Sequence, residues 1–432
     1  MKIAELYELY KQHPIVTTDS RNCPEGSIFF ALKGETFNGN AFAAKALEKG
    51  CAYAVVDEAM YAVPGDDRYV FVDNVLASLQ MLAYHHRKQF NIPVLEVTGT
   101  NGKTTTKELI AAVLSKKHNV LFTQGNLNNH IGVPLTLLRM SQHHTIAVIE
   151  TGANHPGEIK QLAEMVDPDY GIITNVGMAH LEGFGSFDGV LRTKGELYDY
   201  LRRKHGTIFI DHDNTHLRGI AGGLHHIYYG SPCEEILSVE GEVLECAPFL
   251  KFRWRPASGE WQEVQTRLIG AYNVKNMMAA ATVGRAFGVS VEQINEALTE
   301  YIPTNNRSQL TNTEHNQLIV DAYNANPTSM KAAVQNFRDM KVERKMAILG
   351  DMGELGEKSC EAHQHMVDYL IECGFEHVWL VGKNFKATHH PFRNFENVEQ
   401  VKEALKIKKP KGYYILVKGS HSTRLYELPE YL

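Results

Sequence analysis

The residues best suited to chemistry lie together in the segment Thr98-Gly99-Thr100-Asn101-Gly102-Lys103-Thr104-Thr105-Thr106. This segment follows an apolar run that predicts a strand and precedes a run that predicts a helix. Its glycines permit a tight turn whose amides point at phosphate oxygens, and a helix N-terminus adds partial positive charge. The pattern predicts a nucleotide-binding loop in which Lys103 reaches the β- and γ-phosphates and the Thr104 hydroxyl ligates Mg²⁺. The spacing differs from the standard GxxxxGK[ST] loop, because Val97 stands where that pattern has its first glycine.

Three further side chains suit phosphoryl chemistry, although each also has an ordinary structural explanation. Glu150 ends a predicted strand, where a carboxylate can meet a nucleotide-bound Mg²⁺, but acidic residues are common at strand ends. His180 follows another predicted strand, and the chain has 21 histidines, most of which need no function. Lys194 taken alone is typical of a solvated surface lysine. The residues by themselves leave all three open.

Two stretches rich in asparagine follow predicted elements further along the chain. In Gly270-Ala271-Tyr272-Asn273-Val274-Lys275-Asn276 the asparagines are three apart, so they share one face of the helix that begins there. Asn273 suits a helix cap, whereas Asn276 has less structural reason to lie in the first turn. Val320-Asp321-Ala322-Tyr323-Asn324-Ala325-Asn326-Pro327-Thr328 suits either ribose and peptide hydrogen bonding or simple turn formation.

The elements that must position these residues alternate between strands and helices. Apolar runs at Val94–Val97, Ile146–Ile149 and Gly171–Thr174 are typical of buried parallel strands. A helix is predicted over Lys107–Lys117, and residues 225–268 are richer in short strands. This alternation predicts an α/β fold with a central doubly wound sheet, whose ligands bind at the carboxyl ends of the strands.

Two predicted breaks divide the chain into three predicted domains. Pro93 disfavours helix in the residue before it, so the helix predicted over Val75–Phe90 should stop there. A second break is predicted at Ile302-Pro303-Thr304-Asn305-Asn306. The predicted domains are residues 1–90, 91–304 and 305–432, with a smaller α/β domain on each side of the central one.

Composition excludes several classes of partner. The formal net charge of −6 gives no basic field that would attract nucleic acid or an anionic membrane. The six cysteines are scattered without CxxC spacing, which is typical of reduced thiols in a cytosolic protein. No apolar stretch approaches the roughly 20 residues that span a bilayer. We expect a soluble, monomeric cytoplasmic protein that binds small molecules.

Taken together, the motifs resemble the Mur ligase family of peptidoglycan synthesis, and the resemblance covers essentially the whole chain. The segments that carry it are TGTNGKTTTKELI, GNLNNHIGVPLTLL, IETGANHPGEI, NVGMAHLEGFGS, TKGEL, DAYNANPTSM, GDMGELG and LVKGS. The nonstandard phosphate loop is the form that this family uses. The resemblance implies that the first domain binds the UDP end of the substrate, the central domain binds ATP, and the last positions an incoming amine.

The resemblance also implies a role for each matching residue. The implied ATP-binding residues are Gly99, Thr100, Asn101, Gly102, Lys103, Thr104, Thr105, Asn276, Arg307 and Asp321. The implied Mg²⁺-binding positions are Thr104, Glu150, His180 and Lys194, with Lys194 carbamylated by CO₂, and the implied catalytic set is Lys103, Lys194 and His180. The implied substrate-binding residues are Asp19, Ser20, Arg21, Lys33, Gly34, Asn324 and Asn326.

The motifs are most similar to the branch that adds D-alanyl-D-alanine to UDP-N-acetylmuramoyl-tripeptide at the expense of ATP. The implied reaction proceeds through an acyl phosphate, because an ionised carboxylate is a poor electrophile. Three departures from the family pattern concern substrate details: Tyr272, His421 and Asn38-Gly39-Asn40. The alternatives are another amide ligase of the Mur or folylpolyglutamate type and, in a different class, a phosphate-loop ATPase switch. A catalytically inactive binding protein is a further alternative.

Overall fold

The computed structural model describes residues 1–179, 181–303 and 309–432, and Leu181 by its backbone alone. These residues form two compact units. The first contains Met1–Glu96, His118–Gly152 and Glu158–Tyr170, and the second contains Val97–Lys117, Ala153–Gly157 and Gly171–Leu432. No helix in the described part of the chain is long and apolar enough to cross a membrane.

Helices and strands alternate along most of the described chain. The α-helices are α1 Ile3–Gln12, α2 Ala43–Glu48, α3 Val75–Arg87, α4 Lys103–Leu114, α5 Gly132–Leu137, α6 Glu158–Val166, α7 Leu181–Phe184, α8 Phe187–Lys204, α9 Thr215–Ile220, α10 Asn273–Ala286, α11 Val291–Glu300, α12 Pro327–Asp339, α13 Ser359–Glu372, α14 Lys383–Lys386 and α15 Val398–Ile407. The strands are β1 Val16–Thr17, β2 Ile28–Phe30, β3 Tyr53–Val56, β4 Tyr69–Phe71, β5 Val94–Thr98, β6 Val120–Phe122, β7 Ile146–Glu150, β8 Tyr170–Ile173, β9 Thr207–Asp211, β10 His225–Gly230, β11 Val239–Cys246, β12 Phe249–Pro256, β13 Gln262–Ile269, β14 Gln309–Asn312, β15 Gln317–Asp321, β16 Lys345–Gly350, β17 Val378–Val381, β18 Arg393–Phe395 and β19 Tyr414–Lys418. Short 3₁₀ helices cover Gly39–Phe42, Ala59–Tyr61, Gly356–Lys358, His421–Thr423 and Leu425–Glu430.

The first unit contains a four-stranded parallel sheet and part of a larger sheet. The four-stranded sheet has the order β1-β2-β3-β4, and the larger one contributes the order β5-β7-β6. One apolar core includes Leu6 of α1, Leu79 and Leu82 of α3, Leu137 of α5 and Ile149 of β7, all fully buried. Burial of these side chains is the main force that holds helices and strands of this unit together.

The second unit contains strands in the order β13-β12-β11-β10-β9-β8. Helix α10 packs closely against α4, the helix that follows the phosphate loop. Ala279, Ala280 and Ala281 are buried within α10, and a Cβ on Gly284 would overlap the Val113 side chain. Small residues thus allow the close approach of the two helices.

A six-stranded sheet lies in the C-terminal part of the second unit, in the order β14-β15-β19-β16-β17-β18. Its strands are parallel except for β14, which pairs antiparallel with β15. Alternation along β15 sends Leu318 and Val320 into one apolar core and Ile319 into another. Helix α15 covers the first face, whereas α12 and α13 cover the second.

The α/β fold class predicted from the sequence is confirmed, with two local corrections. Helix α4 begins at Lys103 rather than at Lys107, because Gly102 at φ +77° makes the turn and the threonines form the first helical turn. Residues 225–268 form strands of six to eight residues rather than short ones, since β11, β12 and β13 are joined as antiparallel hairpins. The two predicted boundaries, which divide the chain into three domains, stay a prediction.

Candidate active site

The phosphate loop is a turn between β5 and α4 whose shape depends on two glycines. Gly99 has φ +141°, and a Cβ there would overlap the hydroxyl of Thr174. Gly102 has φ +77° and precedes the first residue of α4. Because both conformations favour glycine, a side chain at either position would strain the loop. The loop therefore places backbone amides at the start of a helix, where an anion is stabilised.

Polar contacts with the residues after β8 fix the same loop. The Thr100 and Asn101 amides donate to the carbonyl and side-chain oxygens of Asn175, at 2.9 and 3.0 Å. The Thr174 hydroxyl and the Asn175 amide group donate in turn to the Asn101 carbonyl, at 2.6 and 3.0 Å. The Thr100 hydroxyl accepts a hydrogen bond from the Gly177 amide at 3.0 Å. These contacts between the loop and the residues after β8 involve uncharged groups alone.

The Lys103 side chain folds back onto the backbone of the phosphate loop. Its Nζ donates to the carbonyls of Gly99 at 2.9 Å and Thr100 at 3.1 Å. An ammonium held at this point has three donors and a compact charge, which suits phosphate oxygens. Thr104 is 1% exposed in the first turn of α4, and Thr105 follows it in the same turn.

Asn276 supports the loop from α10. Its Oδ1 accepts a hydrogen bond from the Thr106 hydroxyl at 3.0 Å, and its Nδ2 donates to Asn273 Oδ1 at 2.8 Å. A Cβ on Gly102 would lie only 2.9 Å from Asn276 Oδ1. The structure therefore places Asn276 beside the phosphate loop, while its contact with a nucleotide stays a prediction.

Asn326 reaches the same loop from the C-terminal part of the unit. It is the N-cap of α12, where its Oδ1 accepts the Ser329 amide at 2.9 Å. Its Nδ2 donates to Asn101 Oδ1 at 2.8 Å. One buried side chain thus caps a helix and orients a loop residue, a contact that spacing along the sequence did not predict.

Glu150, in the first unit, is a fully buried carboxylate at the end of β7. Its Oε1 accepts a hydrogen bond from Asn128 Nδ2 at 2.7 Å, and its backbone amide donates to the Thr123 hydroxyl at 2.9 Å. The Asn128 carbonyl also accepts the Gly152 amide at 2.7 Å. Asn128, within the GNLNNH segment, therefore orients the carboxylate that was predicted to bind Mg²⁺.

Lys194 is 1% exposed within α8, so it is not the solvated lysine that the residue alone suggested. Its Nζ lies 5.4 Å from the centre of the Phe184 ring. His180 and Arg307, two other predicted site residues, lie outside the described residues.

Asp321 and Lys418 form an ion pair at the carboxyl edge of the six-stranded sheet. The two residues end the paired strands β15 and β19, and Lys418 Nζ lies 2.6 Å from Asp321 Oδ2. Lys418 also donates to the Asn324 carbonyl at 3.3 Å. The Asn324 side chain is exposed and accepts the Ala325 amide at 2.8 Å. Lys418, which belongs to the LVKGS segment, was not among the predicted site residues.

The carboxyl edge of the four-stranded sheet carries the residues predicted to bind UDP. After β1, the Asp19 carboxylate accepts three hydrogen bonds of 2.9 Å from the backbone and guanidinium of Arg21. Hydrogen bonds from Arg21 lower the pKa of Asp19 to about 2. The Ser20 carbonyl accepts Lys49 Nζ at 3.1 Å.

Lys33, which follows β2, contacts two carboxylates that follow β3. Its Nζ lies 2.7 Å from Glu58 and 3.0 Å from Asp57, and these pairs raise the pKa of Lys33. Gly34 lies next to it, and a side chain there would overlap the Phe37 ring. Since β1, β2 and β3 are parallel neighbours, these loops lie along one edge of the sheet, where α/β sheets bind ligands.

Mg²⁺ fits the donor types of this chain. A threonine hydroxyl and a carboxylate are hard oxygen ligands, and Mg²⁺ usually completes its shell with phosphate oxygens and water. No cluster of three His, Cys, Asp or Glu side chains that could hold a metal occurs within residues 1–179, 181–303 and 309–432. Binding of Mg²⁺ by these residues stays a prediction.

Three family models match consecutive segments of this chain. They are the Mur ligase family catalytic domain over residues 14–99, the Mur ligase middle domain over 97–284, and the Mur ligase glutamate ligase domain over 306–421. The chain belongs to the Mur ligase family, as the sequence motifs predicted, and is accordingly a ligase.

Its relatives share most of its length. It is 32% identical to the UDP-N-acetylmuramoyl-tripeptide–D-alanyl-D-alanine ligase of Bacillus subtilis, and 33% identical to that of Escherichia coli. Each comparison covers 96% of this chain and 92% of the relative. A crystal structure of MurF from Acinetobacter baumannii is 31% identical with a TM-score of 0.84, covering 96% of this chain and 92% of that one. MurF ligase from Thermotoga maritima in complex with ADP is 25% identical with a TM-score of 0.84, covering 96% of both chains.

A rival family resembles this chain in fold alone. Folylpolyglutamate synthase from Mycobacterium tuberculosis is 12% identical, with a TM-score of 0.61 over 82% of this chain and 94% of the other.

Proposed function

We propose that this ligase adds D-alanyl-D-alanine to UDP-N-acetylmuramoyl-tripeptide, consuming ATP and forming the pentapeptide precursor of peptidoglycan. The observation that carries the proposal is the 32–33% identity, over 96% of the chain, to two ligases named for this reaction. The phosphate loop, the buried Glu150 and the buried Lys194 support it, because they supply the groups that phosphoryl activation needs.

The reaction begins at the terminal carboxylate of the tripeptide. A carboxylate oxygen attacks the γ-phosphorus of ATP, the bond to the bridging oxygen breaks, and ADP leaves. The amine of D-alanyl-D-alanine then attacks the carbonyl carbon of the acyl phosphate, loses a proton, and phosphate departs. Lys103 and the loop amides stabilise the charge that spreads over the transferring phosphoryl group.

Thr104, Glu150, His180 and Lys194 are the residues that we assign to Mg²⁺ binding. Bound Mg²⁺ would neutralise charge on the phosphate oxygens. Carbamylation of Lys194 joins its neutral amine to CO₂ and releases a proton, which converts a cation into an anion with two hard oxygen donors. Burial of Lys194 supports this assignment, because the side chain lies inside the protein and not on its solvated surface.

The remaining predicted site residues are assigned to nucleotide binding or to substrate binding. Asn276, Arg307 and Asp321 contact the nucleotide together with residues 99–105. Asp19, Ser20, Arg21, Lys33 and Gly34 bind the UDP end of the substrate. Asn324 and Asn326 are also assigned to substrate binding, and Asn326 in addition supports the phosphate loop through Asn101. The domains would be residues 1–90, 91–304 and 305–432, in a monomeric enzyme that works in the cytoplasm, where UDP-linked substrates and ATP are available.

The test is phosphate release from ATP and Mg²⁺ with UDP-N-acetylmuramoyl-tripeptide, with and without D-alanyl-D-alanine. Lysine and diaminopimelate forms of the tripeptide are compared in parallel. We expect release that requires both substrates and a pentapeptide product identified by mass. Release without the dipeptide would indicate an ATPase, and release with a different amine would indicate another branch of the family.

A further inference from the structure

Glu96 is a buried acid in the strand that leads into the phosphate loop. It is 0% exposed in the middle of β5, two residues before the strand ends at Thr98. Its Oε1 accepts a hydrogen bond from the Thr151 hydroxyl at 2.7 Å, and its Oε2 has no hydrogen-bond partner among the described residues. Burial raises the pKa of Glu96 to about 8, so the carboxyl is protonated at neutral pH.

The partner of Glu96 directly follows a predicted metal ligand. Thr151 is the residue after Glu150, and successive side chains at the end of a strand point to opposite faces of the sheet. Glu96 therefore bonds to Thr151 on one face of the sheet at the end of β7. The preceding residue, Glu150, accepts a separate hydrogen bond from Asn128 at 2.7 Å. The two hydrogen bonds together restrict how the end of β7 can shift or rotate.

A stabilising role alone does not explain an acid at this position. An apolar side chain of similar size would fill the same space without burying a polar group that lacks a partner. The bond from Thr151 is the feature that such a side chain would lose.

We propose that Glu96 is a positioning residue, which accepts the hydrogen bond from Thr151 and thereby holds Glu150 in place for Mg²⁺. The inference rests on the proposed role of Glu150. Groups that orient metal ligands typically contribute about 10- to 100-fold to metal affinity.

The experiment measures Mn²⁺ binding to the full-length protein with ADP by electron paramagnetic resonance, so it does not depend on turnover. The variants are Thr151→Val, Glu96→Leu and Glu96→Gln, with Glu150→Gln as the reference for a lost ligand. Thr136→Val is the matched control, since Thr136 is also fully buried and donates its hydroxyl to a carbonyl, that of Gly132, at 3.0 Å. Thermal midpoints are recorded for each protein.

We expect Thr151→Val and Glu96→Leu to weaken Mn²⁺ binding about tenfold. Glu96→Gln should stay within about twofold of wild type, since an amide oxygen still accepts from Thr151, and Thr136→Val should not change binding. If Glu96→Leu fails to fold, Thr151→Val carries the test.

The outcomes separate this inference from the proposed function. If Glu150→Gln weakens Mn²⁺ binding but Thr151→Val behaves like Thr136→Val, the positioning role of Glu96 is overturned and the metal assignment stands. If Glu150→Gln leaves Mn²⁺ binding unchanged, the assignment of Glu150 fails, and the positioning role fails with it.

Discussion

The phosphate loop and the carboxyl edge of the four-stranded sheet are both predicted to bind phosphates, but they are built differently. The loop is held by hydroxyls, amides and carbonyls, including those of Thr100, Asn101 and Asn175. The sheet edge presents exposed charged groups that pair with each other, such as Arg21 with Asp19 and Lys33 with Glu58.

This difference indicates two ways to receive an anion. A loop that is fixed by its own hydrogen bonds has its donors oriented before the ligand arrives, so little reorganisation is needed during phosphoryl transfer. Exposed ion pairs contribute little to stability and are screened by salt, so an incoming phosphate can replace the carboxylate partner. Changes in the loop should therefore affect turnover, whereas changes at the sheet edge should affect substrate affinity and its dependence on salt.

The largest expected effect is that of Lys103→Ala. Loss of the charge beside the transferring phosphoryl group should lower kcat for phosphate release by about 10³-fold, with little change in the thermal midpoint. Lys117→Ala is the matched control, because Lys117 also donates to a carbonyl, that of Gly288, but lies on an exposed part of the chain. Near-normal turnover in Lys103→Ala would show that the loop does not act on the phosphoryl group.

The next largest effect comes from ionisation of Glu96 in β5, the strand before the phosphate loop. It is measured as the free energy of unfolding at different pH values. The folded-state pKa of Glu96 is about 8, above its ordinary value of 4.5. The protonated Glu96 carboxyl therefore makes its full contribution to the free energy of unfolding below pH 4.5. This contribution is lost progressively as the pH rises through 8. By pH 7 this loss amounts to about 3 kcal/mol.

Glu96→Gln removes that slope, because the amide does not titrate. The variant should gain stability over wild type by a few kcal/mol between pH 5 and pH 8 in denaturant unfolding. A constant difference between the two proteins over this range would mean that Glu96 does not titrate there.

A smaller effect is expected where the loop meets the C-terminal part of the second unit. Asn326→Ser keeps a good N-cap for α12 but removes the amide that donates to Asn101. We expect kcat/KM for ATP to fall about tenfold, the value of one hydrogen bond, with the thermal midpoint nearly unchanged. Asn397→Ser makes the same exchange at the N-cap of α15 and is the control. Equal kinetics in both variants would show that the hydrogen bond from Asn326 to Asn101 does not support the phosphate loop.

The sequence predicted the parts of the fold that depend on local pattern. The strand β5, the turn at Gly99 and Gly102, and the alanine-rich α10 all follow from apolar periodicity and from the special conformations of glycine. The start of α4 was misplaced by four residues, because the threonines after Lys103 have low helix propensity but complete the first turn in this context.

Contacts between residues distant in the chain were beyond such reasoning. Asn101 and Asn326 are 225 positions apart, and Lys418 and Asp321 are 97 apart. A strand-end motif can indicate which edge of a sheet a residue occupies, but the partner depends on strand order, which no local pattern specifies. Lys194 illustrates the same limit, since only the packing of α8 makes that lysine buried.

The smallest expected effect is that of Lys33→Met at the edge of the four-stranded sheet. Because the Lys33 ammonium is partly exposed and paired with Glu58 and Asp57, its loss should leave kcat and the thermal midpoint nearly unchanged. The KM for UDP-N-acetylmuramoyl-tripeptide should rise about threefold to tenfold, and less at high salt because the attraction is screened. Lys251→Met is the control, since Lys251 forms a comparable surface pair with Glu263 at 2.7 Å on the β12–β13 hairpin. A large fall in kcat with an unchanged KM would mean that this edge takes part in turnover, and the contrast with the phosphate loop would then fail.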